Sequence, residues 1–342
     1  MDGVKKKDYR IDNIRALAIS LVVIGHSIIL FDPEWGVYSY SKSCPVLMYI
    51  KHYISLVQIP LFISVSGYCY ALSSWADKEP IEVFIWKKAK RLLLPFVFIS
   101  VFWMIPFRLL SHYPRWEHTS YFHILTQVFI GQDSGHLWFL GCLFFIFVIV
   151  GLGSCFEKKV SDLSFQSKRH DREFFLVCFV LLSLSAFLSC ISSLITPILF
   201  AKYWAENLIW FCIGIILNRR KVRFSKKIRI LFGISASVLL TCAVFGLHKT
   251  KMVCSYIGTF FFICTCFTSM SDRNCALLQF ISRNSFGIYL FHSPMLYIVF
   301  CYLSWLDPVS IILLNLFFCV IVSILITTLI RKNKHIRFII GE

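Results

Sequence analysis

The residues of this chain with the clearest chemical potential are an arginine and a histidine inside one apolar segment. Arg15 and His26 both fall in the run 14–31, which has the length and composition of a membrane helix. Charged groups inside such a helix cost about 2.5–3.5 kcal/mol each on insertion scales, so we expect them to be functional. At about 3.6 residues per turn, the two lie on one face, about 16 Å apart along the axis. The pair predicts a groove lined by a cation near the membrane surface and an imidazole deep inside.

A second set of polar side chains lies on one face of a later apolar run, 286–303, together with the residue directly before it. Ser285, Tyr289 and His292 are separated by four and three residues, which is the spacing of neighbours on a helix surface. Packing in the protein core with a hydrogen-bonded histidine is the alternative explanation. The spacing predicts that all three line the same interior pocket as His26.

Two further segments predict pocket residues. Pro60 removes a backbone donor and is predicted to kink the second apolar run. Beside it stand two small polar side chains and an aromatic one, Ser64, Ser66 and Tyr68. The stretch from His136 to Trp138 stands at the beginning of another predicted helix, and its side chains are predicted to line the mouth of the pocket. Ordinary helix packing through small residues explains the serines taken alone.

A basic stretch before the third apolar run predicts an anion site. Lys88 and Arg91 belong to this stretch, which ends at Pro95. Such a cluster is suited to the phosphates of a soluble ligand that arrives from the cytoplasm. A basic loop that only fixes topology is the alternative. The four histidines of the 111–137 loop match no known metal-ligand spacing, so we predict no metal site.

Membrane helices must position these residues. The chain has 342 residues, of which 58% are hydrophobic and 15% are charged, and a soluble domain needs more polar surface. The composition therefore predicts an all-α polytopic membrane protein with about ten transmembrane helices in one bundle, forming a single domain over residues 1–342. A weaker stretch at 121–131 is predicted to be re-entrant or interfacial. The ten runs are 14–31, 46–73, 92–110, 138–154, 174–196, 203–217, 228–247, 253–270, 286–303 and 308–330.

The distribution of basic residues predicts the orientation. The net charge is +17, and all but seven of the 35 Lys and Arg residues fall in alternate segments, on one predicted side. By the positive-inside rule both termini are cytoplasmic, and the protein is a multi-pass protein of the plasma (inner) membrane. The charge is thus explained by topology, and we expect no nucleic-acid partner. Most of the fourteen cysteines sit in apolar runs, so no structural disulfide is predicted.

The order and spacing of these motifs resemble the integral-membrane acyltransferase family 3, a group of bacterial O-acetyltransferase-like proteins. The resemblance extends from Tyr9 to the tenth run. Lys88 departs from it, because many members have arginine at that position. The matching pieces are Asp12-x-x-Arg15, the spacing of Arg15 and His26, Pro60-Leu-Phe-Ile-Ser-Val-Ser-Gly-Tyr68, Arg91-Leu-Leu-Leu-Pro95, Leu137-Trp-Phe-Leu140 and Ser285-Phe-Gly-Ile-Tyr-Leu-Phe-His292.

This resemblance implies ten membrane helices, an acyl-CoA donor and a carbohydrate acceptor at the outer face. It makes His26 the catalytic residue and Arg15 a required pocket residue. The expected partners are therefore acyl-CoA, the lipid bilayer and a surface polysaccharide or lipid-linked glycan. No cofactor is expected to be bound, because acetyl-CoA enters as a co-substrate.

The predicted reaction is acetyl transfer to a sugar hydroxyl, with His26 as general base. Arg15, Lys88 and Arg91 would hold the CoA phosphates, and Ser66 or Tyr289 would stabilise the oxyanion. A transient acyl group on His26 is an alternative mechanism. A non-enzymatic exporter or flippase of a lipid-linked sugar and an acyl-CoA sensor are alternative functions.

The helix rise also predicts depths in the bilayer. Counted from Ser285, His292 lies about 10 Å in, and His26, counted from Ile14, lies about 18 Å in. We therefore expect a continuous cavity from Arg15, past Tyr289 and His292, to His26.

Overall fold

The computed structural model describes residues 8–38, 40, 44–73, 75, 78–163, 183, 200–220, 224–246 and 248–342. In this part of the chain the regular elements are all helical, which confirms the all-α prediction. A five-residue π-helical turn, Ser100–Met104, joins α3 to α4. The helices are α1 (Tyr9–Ser27), α2 (Pro45–Ser73), α3 (Ile81–Ile99), α4 (Ile105–Leu110), α5 (Tyr121–Phe129), α6 (Trp138–Leu163), α7 (Ala201–Arg219), α8 (Lys226–Phe245), α9 (His248–Ser269), α10 (Ala276–Tyr302) and α11 (Pro308–Lys332).

Seven helical segments among the described residues are long and apolar enough to cross a membrane. Nine of the ten predicted runs coincide with helices, and the run at 174–196 lies outside the described residues. The count of ten and the sides of the termini therefore stay predictions. The stretch at 121–131 forms α5, which with nine residues is too short to cross. The seven segments are α2, Ile81–Leu110, Gly135–Cys155, α8, Thr250–Ser269, α10 and α11.

Two helices begin well before the apolar runs that predicted them. α3 begins at Ile81, so Lys88 and Arg91 lie on the helix and not in a loop before it. α10 begins at Ala276, so Ser285 lies inside this helix and not at its start. The physical reason is that hydropathy marks only the apolar part of a helix, whereas Lys, Arg and Gln continue a helix well.

The described chain divides into two compact units. Unit 1 comprises residues up to Val65 together with Arg220–Thr327, and unit 2 comprises Ser66–Arg219 with Thr328–Glu342. Within unit 1, α1 packs along α10, and α8 pairs with α9. Within unit 2, α6 packs against both α3 and α7, and the turn Arg337–Ile340 packs on α3.

The proline of α2 is accommodated by a side chain from another helix of unit 1. Pro60 has no N–H, so the carbonyl of Leu56, four residues earlier, loses its usual helical donor. The hydroxyl of Thr259 donates to that carbonyl at 3.1 Å, and Thr259 is buried. This bond joins α2 to α9 two residues before Gln58.

Candidate active site

The central feature of unit 1 is a hydrogen-bonded pair of histidines. His26, in the last turn of α1, and His292, near the middle of α10, approach to 2.8 Å between Nδ1 and Nε2 respectively. Their ring planes differ by 14°, and their centroids lie 5.1 Å apart. His292 is fully buried, whereas His26 keeps a partly exposed side chain. The two helices therefore hold one imidazole rigidly behind another that remains accessible.

The surroundings of His292 determine which nitrogen carries each proton. Its Nδ1 lies 2.8 Å from the carbonyl of Ile288 and 3.0 Å from that of Tyr289. Carbonyls only accept, so Nδ1 donates, and in the neutral ring Nε2 is then an acceptor. The proton between the rings therefore belongs to Nδ1 of His26. This leaves Nε2 of His26 unprotonated, which is the state that a general base requires.

The predicted difference in depth between the histidines is wrong. Their contact places the two imidazoles at one level, although helix rise predicted about 18 Å for one and about 10 Å for the other. The error came from the helix starts. Counted from Tyr9 and Ala276, the observed starts, His26 and His292 lie about 26 Å and 24 Å along their helices.

Arg15 lies in a different polar cluster, near the beginning of α1. Its Nη1 is 3.2 Å from Oδ1 of Asp12, which also accepts a hydrogen bond from the hydroxyl of Ser282 on α10 at 3.3 Å. Asn13 donates to the carbonyls of Ser271 and Arg273 at 2.9 and 3.1 Å. The side-chain Oδ1 of Asn13 accepts a hydrogen bond from Gln279 Nε2 at 3.2 Å. The cluster joins the first turns of α1 to α10 and the segment before it.

The predicted groove between Arg15 and His26 does not follow the face of α1 that they share. Three side chains between them on this face, Ala18, Ile19 and Val22, have 0–1% of their surface exposed. Because Asp12 and His26 both bond to α10, that helix runs along the face and fills it. The expected continuous cavity down this face is therefore wrong, and a donor must reach His26 by another side.

Three other predicted pocket residues of unit 1 are buried. Ser285 and Tyr289 have 5% and 3% of their surface exposed, so both lie in the interior on the His292 face of α10. Ser64 is also buried and donates to the carbonyl of Pro60 within its own helix at 2.8 Å. Tyr289 therefore contributes to the histidine pair through its backbone carbonyl.

A family model described as an acyltransferase domain matches residues 8–330, which includes both histidines and nearly all of the chain. The chain belongs to the family 3 acyltransferases. This confirms the resemblance found in the sequence and shows that the protein is a member of a membrane acyltransferase family. Comparison with curated proteins and with solved structures finds no significant match.

The basic residues of the acyltransferase that were predicted to bind the donor lie in unit 2. The Lys88 ammonium lies 4.1 Å from the ring centroid of Phe147 and 5.1 Å from that of Phe84. Among the described residues, no carboxylate lies within ion-pair distance of it. Arg91, one turn further along α3, is exposed. Lys88 is thus a half-buried cation that aromatic rings support.

The remaining predicted residues of unit 2 lie near helix contacts. A side chain at Gly67 would place its Cβ 2.1 Å from the carbonyl oxygen of Phe211, so this glycine permits close packing of α2 on α7. Ser66 and Tyr68 flank that contact. His136 is buried in a 3-10 turn, and the ring of Trp138 stacks on Tyr203 at 4.4 Å. Packing explains Gly67 and Trp138, and roles for the others stay predictions.

Sequence reasoning missed two amide side chains beside the histidine pair. The Oε1 atom of Gln58, on α2, is buried next to Gly25 and has no hydrogen-bond partner among the described residues. Asn315, on α11, donates to the carbonyl of Ser27 at 3.3 Å, and its Oδ1 is likewise buried without a partner in the described part of the chain. Both amides stand within apolar runs, so the rule that intramembrane polar groups are functional also pointed to them.

A charged cluster follows α1 directly. Asp32 is fully buried and forms an ion pair with Lys51, and His52 lies 3.4 Å from the same carboxylate. The Asp32, Glu34 and His52 ligand atoms lie within 4.8 Å of one another, close enough to approach a cation. The Lys51 ammonium already provides that positive charge. Burial raises the pKa of Asp32, but the hydrogen bond and charge of Lys51 outweigh it, so the pKa is lowered.

Proposed function

We propose that this protein transfers an acetyl or other short acyl group from cytoplasmic acyl-CoA to a hydroxyl of a cell-surface or lipid-linked polysaccharide. Family membership supports acyl transfer in general. The observation that carries the catalytic assignment is the His26–His292 pair, because its hydrogen bonds leave Nε2 of His26 unprotonated. The acetyl donor, the polysaccharide acceptor and the plasma-membrane location rest on the sequence resemblance.

The proposed step uses His26 as base and then as acid. Nε2 of His26 takes the proton of the acceptor hydroxyl while the hydroxyl oxygen attacks the carbonyl carbon of the thioester. The tetrahedral intermediate collapses by cleavage of the carbon–sulfur bond. The imidazolium returns the proton to the departing thiolate, so the products are the ester and CoA thiol, and His26 is neutral again.

His292 is a positioning residue in this proposal. Its Nε2 accepts a hydrogen bond from the Nδ1–H group of His26, and this bond holds the base in one tautomer and one orientation. When His26 becomes positively charged, the same acceptor stabilises the charge. The backbone carbonyls of Ile288 and Tyr289 fix His292 in turn, so the chain of bonds ends in the α10 backbone.

The surroundings of half-buried Lys88 support the proposal that the acyl donor is anionic. Its ammonium is held over two aromatic rings without an ion-pair carboxylate in the described residues, so a phosphate group would complete its interactions. Arg91 is exposed one turn away and offers a second cation. The phosphates of CoA have this chemistry.

The function is tested with radiolabelled acetyl-CoA and membranes that contain the protein and its native acceptor. We expect label to enter the surface glycan and one CoA thiol to be released per ester formed. His26→Ala should lower both rates by about 10³-fold or more at equal protein abundance, which leaves a small residual rate to measure. His123→Ala, a change at an exposed histidine of α5, serves as the matched control and should retain the wild-type rate.

The possible results separate the hypotheses. No transfer by the wild-type protein would reject the acyltransferase proposal and favour the exporter. If His26→Ala transfers label at the wild-type rate, the catalytic role of His26 is rejected, while the acyltransferase function stands. Label that stays on the wild-type protein after rapid denaturation at neutral pH, but not on His26→Ala, would favour the acyl-histidine mechanism.

A further inference from the structure

The amide of Gln58 contacts α1 directly beside the catalytic histidine. A Cβ added to Gly25 would lie 2.6 Å from Oε1 of Gln58 and 3.0 Å from Cγ2 of Ile54. Only a glycine at this position lets the amide approach so closely. Since Gly25 directly precedes His26, the Gln58 amide lies at the level of the histidine pair.

The two ends of this amide have different surroundings. Oε1 is buried and lacks a hydrogen-bond partner within the described chain. Nε2 is not buried, and the described residues also give it no partner. The oxygen is therefore packed against α1, whereas Nε2 retains accessible surface. An amide donor left unpaired inside a membrane span is costly, so it is expected to meet a polar ligand.

We propose that Gln58 Nε2 donates a hydrogen bond to the carbonyl oxygen of the acyl group during transfer, which makes Gln58 an oxyanion-stabilising catalytic residue. The inference rests on the proposed function and names a further residue for it. Acyl transfer needs an acceptor for the hydroxyl proton and a donor for the carbonyl oxygen. Nε2 of His26 supplies the first and Nε2 of Gln58 the second.

The movement of electrons during the reaction determines when the Gln58 hydrogen bond is strongest. As the hydroxyl oxygen bonds to the carbonyl carbon, the carbonyl π pair moves onto its oxygen, where the Gln58 N–H stabilises it. When the carbon–sulfur bond breaks, that pair re-forms the carbonyl and the hydrogen bond weakens. Gln58 loses no proton, so His26 alone handles the proton of the reaction.

The first test is Gln58→Met, which keeps the length of the side chain and removes the donor. With radiolabelled acetyl-CoA and membranes that contain the native acceptor, we expect kcat to fall about 10²-fold while KM for acetyl-CoA changes less than about threefold. The thermal midpoint should stay or rise, because the change removes a buried unpaired oxygen. A kcat within about threefold of wild type would overturn the proposal.

The second test displaces the amide without changing it. Gly25→Ala pushes Oε1, the end of a flexible side chain, and should lower kcat in wild type but have little further effect in Gln58→Met. Gly233→Ala, where the nearest atom is Thr265 Cγ2 at 3.8 Å, is the matched control. Equal losses from Gly25→Ala in both backgrounds would overturn the assignment.

The failure of this inference is distinguishable from failure of the proposed function. If the wild-type protein transfers label and His26→Ala does not, the function stands whatever Gln58→Met does. If the wild-type protein transfers no label, the proposed function fails, and the Gln58 assignment is rejected with it.

Discussion

The two ends of the α1–α10 contact hold polar groups of opposite character. At the beginning of α1, Asn13 makes three hydrogen bonds, and Asp12 pairs with both Arg15 and Ser282. At the end of α1, His26 is bonded through one nitrogen to His292 and keeps the lone pair of the other. In the first cluster Asn13 and Asp12 are bonded to other groups of the protein, whereas in the second His26 presents an acceptor to a ligand.

The difference teaches how to separate structure from function among polar residues of a membrane helix. A buried polar group whose bonds are all made by the protein stabilises the fold. A group held by one bond, with its second bonding position accessible, is arranged for a ligand. We therefore expect changes at the beginning of α1 to alter stability, and changes at its end to alter rate.

After the change at His26 itself, the largest expected effect is on rate and comes from His292. His292→Ala removes the acceptor that orients His26, so kcat should fall about 10²-fold with little change in the KM for acetyl-CoA. His292→Asn restores an acceptor oxygen and should recover part of the loss. Initial rates of label transfer measure both variants. Equal rates for Ala and Asn would mean that His292 only packs.

The next effect is on stability and comes from Asn13. Asn13→Ala leaves Gln279 and two carbonyls without their partner, so the unfolding free energy should fall by about 1–3 kcal/mol. The transfer rate per folded molecule should stay within about twofold. Asn274→Ala, at an exposed asparagine before α10, is the control for thermal unfolding. A large loss of rate from Asn13→Ala would place this cluster in the catalytic machinery.

A pH-dependent effect tests the ion pair of Asp32 and Lys51 as another closed group. The pKa of Asp32 is lowered in the folded protein, so its stabilisation is present at neutral pH and is lost as pH falls through that pKa. Asp32→Asn should cost about 1–3 kcal/mol at pH 7. This difference should shrink below about pH 4. Unfolding midpoints from pH 3 to pH 7 measure it, and a constant difference would contradict the ion-pair account.

The smallest expected effect concerns the donor. Lys88→Gln removes a cation that supports a phosphate, so KM for acetyl-CoA should rise by about fivefold with kcat nearly unchanged. Lys90→Gln is the control, because Lys90 lies two residues further along α3, is exposed, and places its ammonium 4.9 Å from the ring centroid of Trp86. A fall in kcat at constant KM would argue against a ground-state phosphate contact.

The sequence predicted the helical class and the positions of most of the described helices. It did not predict the contact between His26 and His292, because hydropathy located the apolar part of α10 and missed its first ten residues. It assigned Arg15 to a pocket through spacing and the family resemblance, and neither identifies Asp12 as its ion-pair partner.

The amides were missed for a different physical reason. Gln58 and Asn315 carry no charge, so a search for ionisable groups does not select them. An amide without a hydrogen-bond partner is nevertheless also costly in lipid. Their relation to Gly25 and Ser27 depends on how α2 and α11 approach α1, which the order of residues along the chain does not determine.

The central claim is that His26 and His292 act as one catalytic unit, and a double-mutant cycle tests it most directly. Transfer rates per folded molecule are measured with radiolabelled acetyl-CoA for wild type, His26→Ala, His292→Ala and the double variant. Residues that act as a unit are not additive, so we expect the double variant to be no slower than His26→Ala, within about twofold. A double variant that loses the product of the two single losses would show independent contributions and contradict the account.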